Sequence, residues 1–111
     1  MTTQQAELDL SPLVHVEHDH EATIGERFTA FHEANLHVAD ALESLAATWL
    51  AHHSRVGVKA LFERLRWEAG IQTNATDYRL NNNFTSHYAR LLIDRNPTWA
   101  DAINVRELRA A

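Results

Sequence analysis

The sequence predicts a mainly α fold: a compact, winged helix-turn-helix-like helical domain preceded by an irregular acidic N-terminal tail. Apolar residues recur at helical spacing over most of the chain from residue 24 to residue 99. Glycine and proline, which punctuate turn-rich β folds, number only 3 and 2. Residues 1–22 hold acidic side chains without any Lys or Arg. We therefore expect an irregular tail over 1–22 and a single helical domain over 23–111.

Several classes of protein are excluded by what the sequence lacks. There is no cysteine, so disulfides, thiolate zinc sites and cysteine nucleophiles are ruled out. The start, MTTQQAELDL, has neither the basic region nor the apolar region of a signal peptide. No apolar run approaches the roughly 20 residues that span a bilayer. These features predict a cytoplasmic protein without a membrane partner.

Four helices are predicted from the spacing of the apolar residues. Their ranges, in chain order, are 24–34, 36–53, 58–69 and 82–95. Thr23 and Asn35 are the expected caps of the first two, Gly70 is placed to end the third, and Asn96-Pro97 stops the fourth. The helices are expected to share one core, formed by Phe28, Phe31, Leu42, Leu45, Trp49, Leu61, Phe62, Leu65, Phe84, Tyr88, Leu91 and Trp99.

Two stretches read as extended rather than helical. Residues 54–57 break the helical pattern between the second and third helices, and residues 103–109 alternate imperfectly, which favours a short strand. A winged helix-turn-helix has the same order of elements: a helix, a short extended piece, a second helix, a polar helix and a C-terminal strand. The match has two defects: a long segment separates the third and fourth helices, and little chain remains to form a wing.

The fourth helix carries the candidate functional face. Phe84, Tyr88 and the Leu91-Leu92 pair fall on one side. An exposed polar row falls on the other side, formed by Asn83, Ser86, His87 and Arg90. In that row Asn83 suits adenine and Arg90 suits phosphate or guanine, which predicts a helix in the DNA major groove. The alternative is an Asn cap on an ordinary amphipathic helix. The full candidate set for binding double-stranded DNA is Arg55, Lys59, Arg64, Arg79, Asn82, Asn83, Thr85, Ser86, His87 and Arg90.

The distribution of charge leaves a second function open. The net charge is -5, and the acidic tail accounts for it, because acids and bases balance in the rest of the chain. Residues 54–95 carry a small positive excess, which is thin for strong DNA affinity because each phosphate contact needs a cation. The alternative is a protein-interaction module, a regulator or inhibitor of a host or phage protein that uses its acidic tail and helical surface. The tail could also cover the basic face in cis.

Metal binding and catalysis have weaker support. His15, His18 and His20 alternate with Glu17 and Asp19, a spacing that can hold a divalent transition metal. No further ligand cluster accompanies them, so we expect no metal site. A Gly-rich phosphate loop, a nucleophile elbow and an HExxH motif are absent from the sequence. We therefore expect neither an enzyme nor a bound cofactor, and the sequence predicts no oligomeric state.

Three runs carry a family resemblance: KALFERLRWE, LNNNFTSHYARLLI and RELR. With them, about residues 28–109 resemble a group of small uncharacterised proteins encoded by actinobacterial phages, prophages and related chromosomal loci. The resemblance implies a bacterial or phage cytoplasmic setting and a compact helical domain. It transfers no catalytic residue. Together with the polar helix, it leads us to expect a small DNA-binding protein with a role in transcription regulation.

Overall fold

Four helices build the chain in the computed structural model, which describes residues 8–73 and 78–103. They are α1 (Ile24–Ala34), α2 (Leu36–Leu50), α3 (Val58–Thr73) and α4 (Thr85–Arg95). Short 3-10 turns precede and follow α4, at Asn82–Phe84 and Pro97–Trp99. The mainly helical prediction is confirmed. Within the described ranges, β pairing is limited to one isolated parallel bridge between Val56 and Ile103.

The start of α1 shows why its bounds follow the sequence prediction. Thr23 Oγ1 accepts a hydrogen bond from the Glu26 backbone N–H at 3.1 Å, and Glu26 Oε1 accepts one from the Thr23 N–H at 3.0 Å. This reciprocal pair satisfies two N–H groups that the first turn of a helix leaves without partners. The bond from the Thr23 backbone also lowers the pKa of the Glu26 carboxyl, because it stabilises the carboxylate.

The core lies where α2, α3 and α4 pack on one another. Its largest fully buried apolar side chains are Val38, Leu42, Phe62, Leu65, Tyr88 and Leu92. α1 contributes no fully buried residue and covers one side of this core with its aromatic rings. There the Phe28 ring stands edge-on to Tyr88, with ring centroids 4.8 Å apart. Three helices therefore form the centre, and α1 is held mainly by aromatic contacts.

Half of the residues predicted for the core are buried, and the prediction for one residue, Trp49, was wrong. Leu42, Leu61, Phe62, Leu65, Phe84 and Tyr88 are buried, whereas Phe28, Phe31, Leu45, Leu91 and Trp99 pack half-buried around them. Trp49 is 47% exposed. Its indole N–H donates to the Arg55 carbonyl at 2.7 Å, and its ring stacks on His53, so the side chain lies along the surface near the end of α2.

Two helix ends differ from the prediction. Gly70 does not end α3, which continues to Thr73. Gly70 lies within the helix, and side chains of the last turn bond back to the turn before it: the Thr73 hydroxyl donates to the Ala69 carbonyl, and Gln72 Nε2 donates to Glu68 Oε2. Glycine permits a left-handed end but does not impose one. α2 ends at Leu50, earlier than the expected residue 53.

The Asn cap predicted as the alternative for the fourth helix was placed at Asn82 or Asn83, and this was wrong. Asn81 caps the 3-10 turn that precedes α4, and its Oδ1 accepts a hydrogen bond from the Asn83 N–H at 2.9 Å, whereas α4 itself has no side-chain cap. The chain then makes a 3-10 turn before α4 begins. At the other end, Arg95 Nη1 donates to Asp40 and Glu43 of α2 at 2.9 and 3.0 Å, which fixes the end of α4 against the core.

Residues 8–22 contain no helix or strand and lie against the helices. Asn35 stands at the cap position of α2, but its side chain makes no cap hydrogen bond. It is fully buried and binds Val14 instead, accepting from the Val14 N–H at 2.7 Å and donating to the Val14 carbonyl at 2.9 Å. Leu8, Leu10 and Leu13 pack against the core. The strand predicted for residues 103–109 falls, beyond Ile103, outside the described residues.

Candidate functional site

A groove between α2 and α3 is the first of two candidate sites. We call it the α2–α3 groove, and its cavity measures about 810 Å³. Its volume lies in the range of pockets that bind ligands or side chains of a partner. The residues that line it are Leu8, Ser44, Leu45, Thr48, Trp49, His52, His53, Arg55, Val56, Gly57, Ala60, Leu61, Arg64, Glu68 and Gln72.

The groove has an apolar floor and an aromatic wall. Val56 and Leu61 are buried, and Leu45 is half-buried beside them. The wall is formed by Trp49 and His53, whose rings stack with centroids 3.8 Å apart and planes 20° from parallel. Because the two residues are four apart in sequence, they extend from the same side of the chain at the end of α2. The stack holds the half-exposed indole in one orientation.

The charged side chains of this groove are mainly cationic. Arg55 and Arg64 line it together with the single carboxylate of Glu68. Arg64 Nη2 pairs with Glu68 Oε1 at 2.8 Å, one helical turn along α3. His52 and His53 add two imidazole rings. The lining therefore combines an apolar floor with two guanidinium groups, two imidazole rings and one carboxylate.

A second groove separates α1 from α4. We call it the α1–α4 groove, and its cavity measures about 770 Å³. His87 and Arg90 of the predicted DNA-reading row line it, but so do the carboxylates of Glu26, Glu33 and Asp94. These acids would repel a phosphate backbone brought to this side of α4. The remaining lining residues are Thr23, Gly25, Phe28, Thr29, Ala30 and Leu91.

His87 was predicted to be exposed, and it is half-buried under α1. Its ring stacks on the ring of Phe28, with centroids 5.0 Å apart. His32 also stacks on the Phe28 ring, with centroids 5.9 Å apart. Burial lowers the pKa of both imidazoles, with a smaller contribution from Arg90 at His87 and from Arg95 at His32. The periodicity of α4 alone could not show that a neighbouring helix covers this position.

The structure separates the predicted DNA-binding residues into three places. Asn82, Asn83, Thr85 and Ser86 lie together at the start of α4, with both asparagines exposed. His87 and Arg90 face the α1–α4 groove, while Arg55 and Arg64 line the α2–α3 groove. Lys59 and Arg79 are exposed elsewhere, on α3 and on the segment before α4.

Arg66 is a residue that the sequence reading did not select. Its Nη2 donates to the Leu80 carbonyl at 2.6 Å and to Asn82 Oδ1 at 2.7 Å, and its guanidinium lies 5.8 Å from the centre of the Phe62 ring. It thus connects α3 to the start of α4. One of the predicted DNA-contacting amides, that of Asn82, is engaged in this connection.

The histidine-rich part of the tail shows local contacts. His18 Nδ1 lies 3.1 Å from the Val16 carbonyl, and His20 Nδ1 lies 3.7 Å from Asp19 Oδ1. Across residues 8–73 and 78–103, three or more His, Asp or Glu side chains do not converge in an arrangement suited to a metal ion. The helices of those same residues include none with the length and apolar character needed to cross a membrane.

Comparison with known proteins identifies no family for this chain. No protein-family model matches the chain, and neither a curated protein nor a solved structure is detectably similar to it. The resemblance to small phage and prophage proteins therefore stays a prediction. The functional argument depends on the two grooves and on the start of α4.

Proposed function

We propose that this chain is a protein-interaction module that binds a segment of a partner protein in the α2–α3 groove. The observation that supports this best is the half-exposed Trp49, held by its stack on His53 above the apolar floor. Tryptophan and arginine are the residues that most often dominate the binding energy of protein interfaces. Here both types line one cavity, so a partner side chain inserted between them would bury apolar surface and meet a cation.

The groove suits a peptide segment because its features extend along two helices. Trp49 stands near the end of α2, while the lining residues of α3 run from Ala60 to Gln72, more than three helical turns. Several successive side chains of a bound segment could therefore contact the protein. Immobilising such a segment has an entropic cost, which the burial of apolar side chains on Val56 and Leu61 would offset.

A direct test selects short random peptides on the full-length protein and measures their binding to two matched variants. Ala60→Trp fills the groove, whereas Ala47→Trp places the same side chain on an exposed position of α2 outside it. We expect the selected peptides to bind wild type and Ala47→Trp alike and to bind Ala60→Trp more than about tenfold more weakly. Equal binding to all three proteins would contradict the proposal.

The site of contact can be observed on the native protein. The Trp49 indole N–H donates to the Arg55 carbonyl and gives a separate side-chain signal in an amide correlation spectrum. A peptide in the groove should shift this signal and leave the indole signal of Trp67, which is 64% exposed and does not line the groove, in place. The Trp49→Phe variant assigns the signal. A shift confined to Trp67 would place the peptide on another face.

DNA binding through α4 is a second proposal, supported by a different observation. Asn83 is exposed just before α4, and its backbone N–H donates to the Oδ1 of the Asn81 cap. A winged helix-turn-helix-like arrangement would place this end of the helix toward base edges. The acids of the α1–α4 groove oppose this proposal, so we rank it second.

A further inference from the structure

α3 carries a second apolar face, opposite the face that it buries in the core. Its buried side chains are Val58, Leu61, Phe62, Leu65 and Ala69. Trp67 and Ile71 lie on the other side of the helix and are 64% and 62% exposed. Among the helices in the described part of the chain, α3 alone places two exposed large apolar side chains one turn apart. They form a patch, unlike the scattered single apolar residues that are common on protein surfaces.

The spacing along this outer face is that of a coiled-coil seam. We call it the α3 stripe, and its four exposed residues follow one another at steps of four, three and four: Ala60, Arg64, Trp67 and Ile71. Side chains at this spacing fit between those of a second helix with the same repeat, whereas an extended segment repeats every two residues. The occupant that suits the α3 stripe is therefore a helix.

The α3 stripe is complementary to a copy of itself. When two α3 helices lie antiparallel and are centred between residues 65 and 66, Ala60 faces the second copy's Ile71, and Arg64 faces its Trp67. Small then meets large at one level, and a guanidinium packs on an indole at the other. A parallel pair would instead place Trp67 against Trp67 and Ala60 against Ala60, which crowds one level and leaves space at another.

Charge does not oppose this pairing at the interface itself. Arg64 is the charged member of the α3 stripe, and its Nη2 already pairs with Glu68 Oε1 at 2.8 Å within the same helix. Two stripes therefore meet without an uncompensated charge. The whole chain has a net charge of -5, so two copies repel each other at longer range, and salt screens that repulsion. Higher salt should strengthen the pairing.

We infer that the α3 stripe is a weak homodimer interface, at which two copies of the chain pack their α3 helices antiparallel. The exposed parts of Trp67 and Ile71 in two copies amount to on the order of 500 Å². Stable interfaces bury at least about 1,200 Å², so the copies exchange between monomer and dimer. The inference does not rest on the proposed function, because neither Trp67 nor Ile71 lines the α2–α3 groove.

Equilibrium sedimentation of the full-length protein tests the dimer directly. We expect a reversible monomer–dimer equilibrium with a dissociation constant between about 10 μM and 1 mM. The constant should be lower at about 1 M salt than at about 0.1 M, because screening removes the repulsion between the two acidic chains. Sedimentation as a monomer up to about 1 mM protein would overturn the inference.

Lysine substitutions locate the interface. Trp67→Lys and Ile71→Lys each remove apolar area and place two like charges in the dimer, so each should raise the dissociation constant at least about tenfold. Leu36→Lys is the matched control, because Leu36 is 56% exposed on α2, outside the α3 stripe, and should leave the constant unchanged. All three side chains are more than half exposed, so the helical circular dichroism should be kept. Equal weakening by Leu36→Lys would contradict the location.

Cross-linking measures the orientation of the two helices. The chain has no cysteine, so a single introduced cysteine is a unique probe. Glu63 lies beside the middle of the α3 stripe, and Lys59 lies near the start of α3. In the antiparallel pair, two copies of residue 59 are roughly 20 Å apart along the helices, while two copies of residue 63 are less than half as far apart. We expect a short bismaleimide to link Glu63→Cys and not Lys59→Cys. Linking of both variants would overturn the antiparallel arrangement.

Peptide binding distinguishes the dimer interface from the proposed function. Ala60 and Arg64 also line the α2–α3 groove, but Trp67→Lys leaves that lining intact. At about 1 μM protein, where the monomer dominates, peptides selected for the groove should bind wild type and Trp67→Lys alike. Loss of the dimer with peptide binding kept supports two separate surfaces, whereas an equal loss of both would overturn a separate dimer interface. If no peptide is sensitive to Ala60→Trp, the proposed function is wrong, and the sedimentation result still decides the dimer.

Discussion

The α2–α3 groove and the α1–α4 groove are similar in size and opposite in charge. The first measures about 810 Å³ and has two guanidinium groups and one carboxylate in its lining, whereas the second measures about 770 Å³ and has one guanidinium and three carboxylates. Their apolar parts also differ, because a buried floor lies under the first and the Phe28–His87 stack forms much of the second.

The difference in charge between the two grooves shows that a polar helix face is not sufficient to make a nucleic-acid-binding surface. The row on α4 has donors suited to DNA, but α1 adds carboxylates beside Arg90 and covers His87. The α2–α3 groove is assembled instead from residues that were predicted for the core, for a helix end and for phosphate contacts. Neighbouring helices decide what a face can bind.

The largest expected effect on stability comes from substituting the apolar residues that form the floors of the two grooves. Leu61 is 4% exposed beneath the α2–α3 groove, so Leu61→Ala should lower the free energy of unfolding by about 2–5 kcal/mol. Leu91 is half-buried in the α1–α4 groove, and Leu91→Ala should cost roughly 1–2 kcal/mol. Urea unfolding of the two variants measures both values. A larger loss for Leu91→Ala would show that the second groove contains the better-packed floor.

The fold was more predictable than the site for a physical reason. The bounds of α1 follow from the sequence because the capping bonds between Thr23 and Glu26 are local, and the buried side of α4 follows from its own spacing. The α2–α3 groove depends on contacts between distant segments. Trp49 falls on the apolar stripe of α2, and only the contact with Arg55 and His53 shows that it lies at the surface.

The same reasoning explains the remaining errors. Asn35 occupies a cap position, but a partner 21 residues earlier, Val14, takes its side chain. Gly70 is compatible with a helix end and equally with the continuation of α3 to Thr73. One signal was present in the sequence: Trp49 and His53 are four residues apart, and Arg55 follows them. That spacing indicates an aromatic and cationic cluster at the end of α2.

A cap substitution should have the next largest effect, and it tests the start of α4 separately from both grooves. Asn81→Ala removes the acceptor for the Asn83 N–H and should cost about 1 kcal/mol of stability. Asn83→Ala leaves that bond in place, because Asn83 uses its backbone N–H, and should stay within about 0.5 kcal/mol of wild type. Thermal melting compares the two. Equal losses would mean that the carboxamide of Asn83 also stabilises the turn.

Acidification should weaken the attachment of α1, and with it the α1–α4 groove. Burial lowers the pKa of His32 and His87 in the folded protein below the ordinary value of 6.5. The unfolded chain therefore takes up protons first, so the stability from the neutral rings is complete above about pH 6.5 and is lost as the pH falls through the lower folded pKa. Melting temperatures between about pH 7 and pH 5 should fall less for a His32→Gln, His87→Gln double variant. An unchanged slope would contradict this role.

Substitutions of Asn83 and Arg90 should have the smallest effects on stability. They also test most directly whether the protein binds through the polar row of α4 or through the α2–α3 groove. Both residues are exposed, so alanine should change the unfolding free energy by no more than about 0.5 kcal/mol.

If α4 binds DNA bases, Asn83→Ala should lower the binding free energy at a specific DNA site by about 1–3 kcal/mol. Arg90→Ala should weaken binding to all duplexes and reduce the salt dependence of binding by about one phosphate contact. Asp94→Asn is the matched charge control, because removing this carboxylate from the α1–α4 groove should then strengthen duplex binding. Gel shifts of wild type and the three variants at about 50 mM salt make the comparison. If wild type binds no duplex, or if all four proteins bind alike, the polar row of α4 has no part in recognition, and the α2–α3 groove is left as the site to pursue.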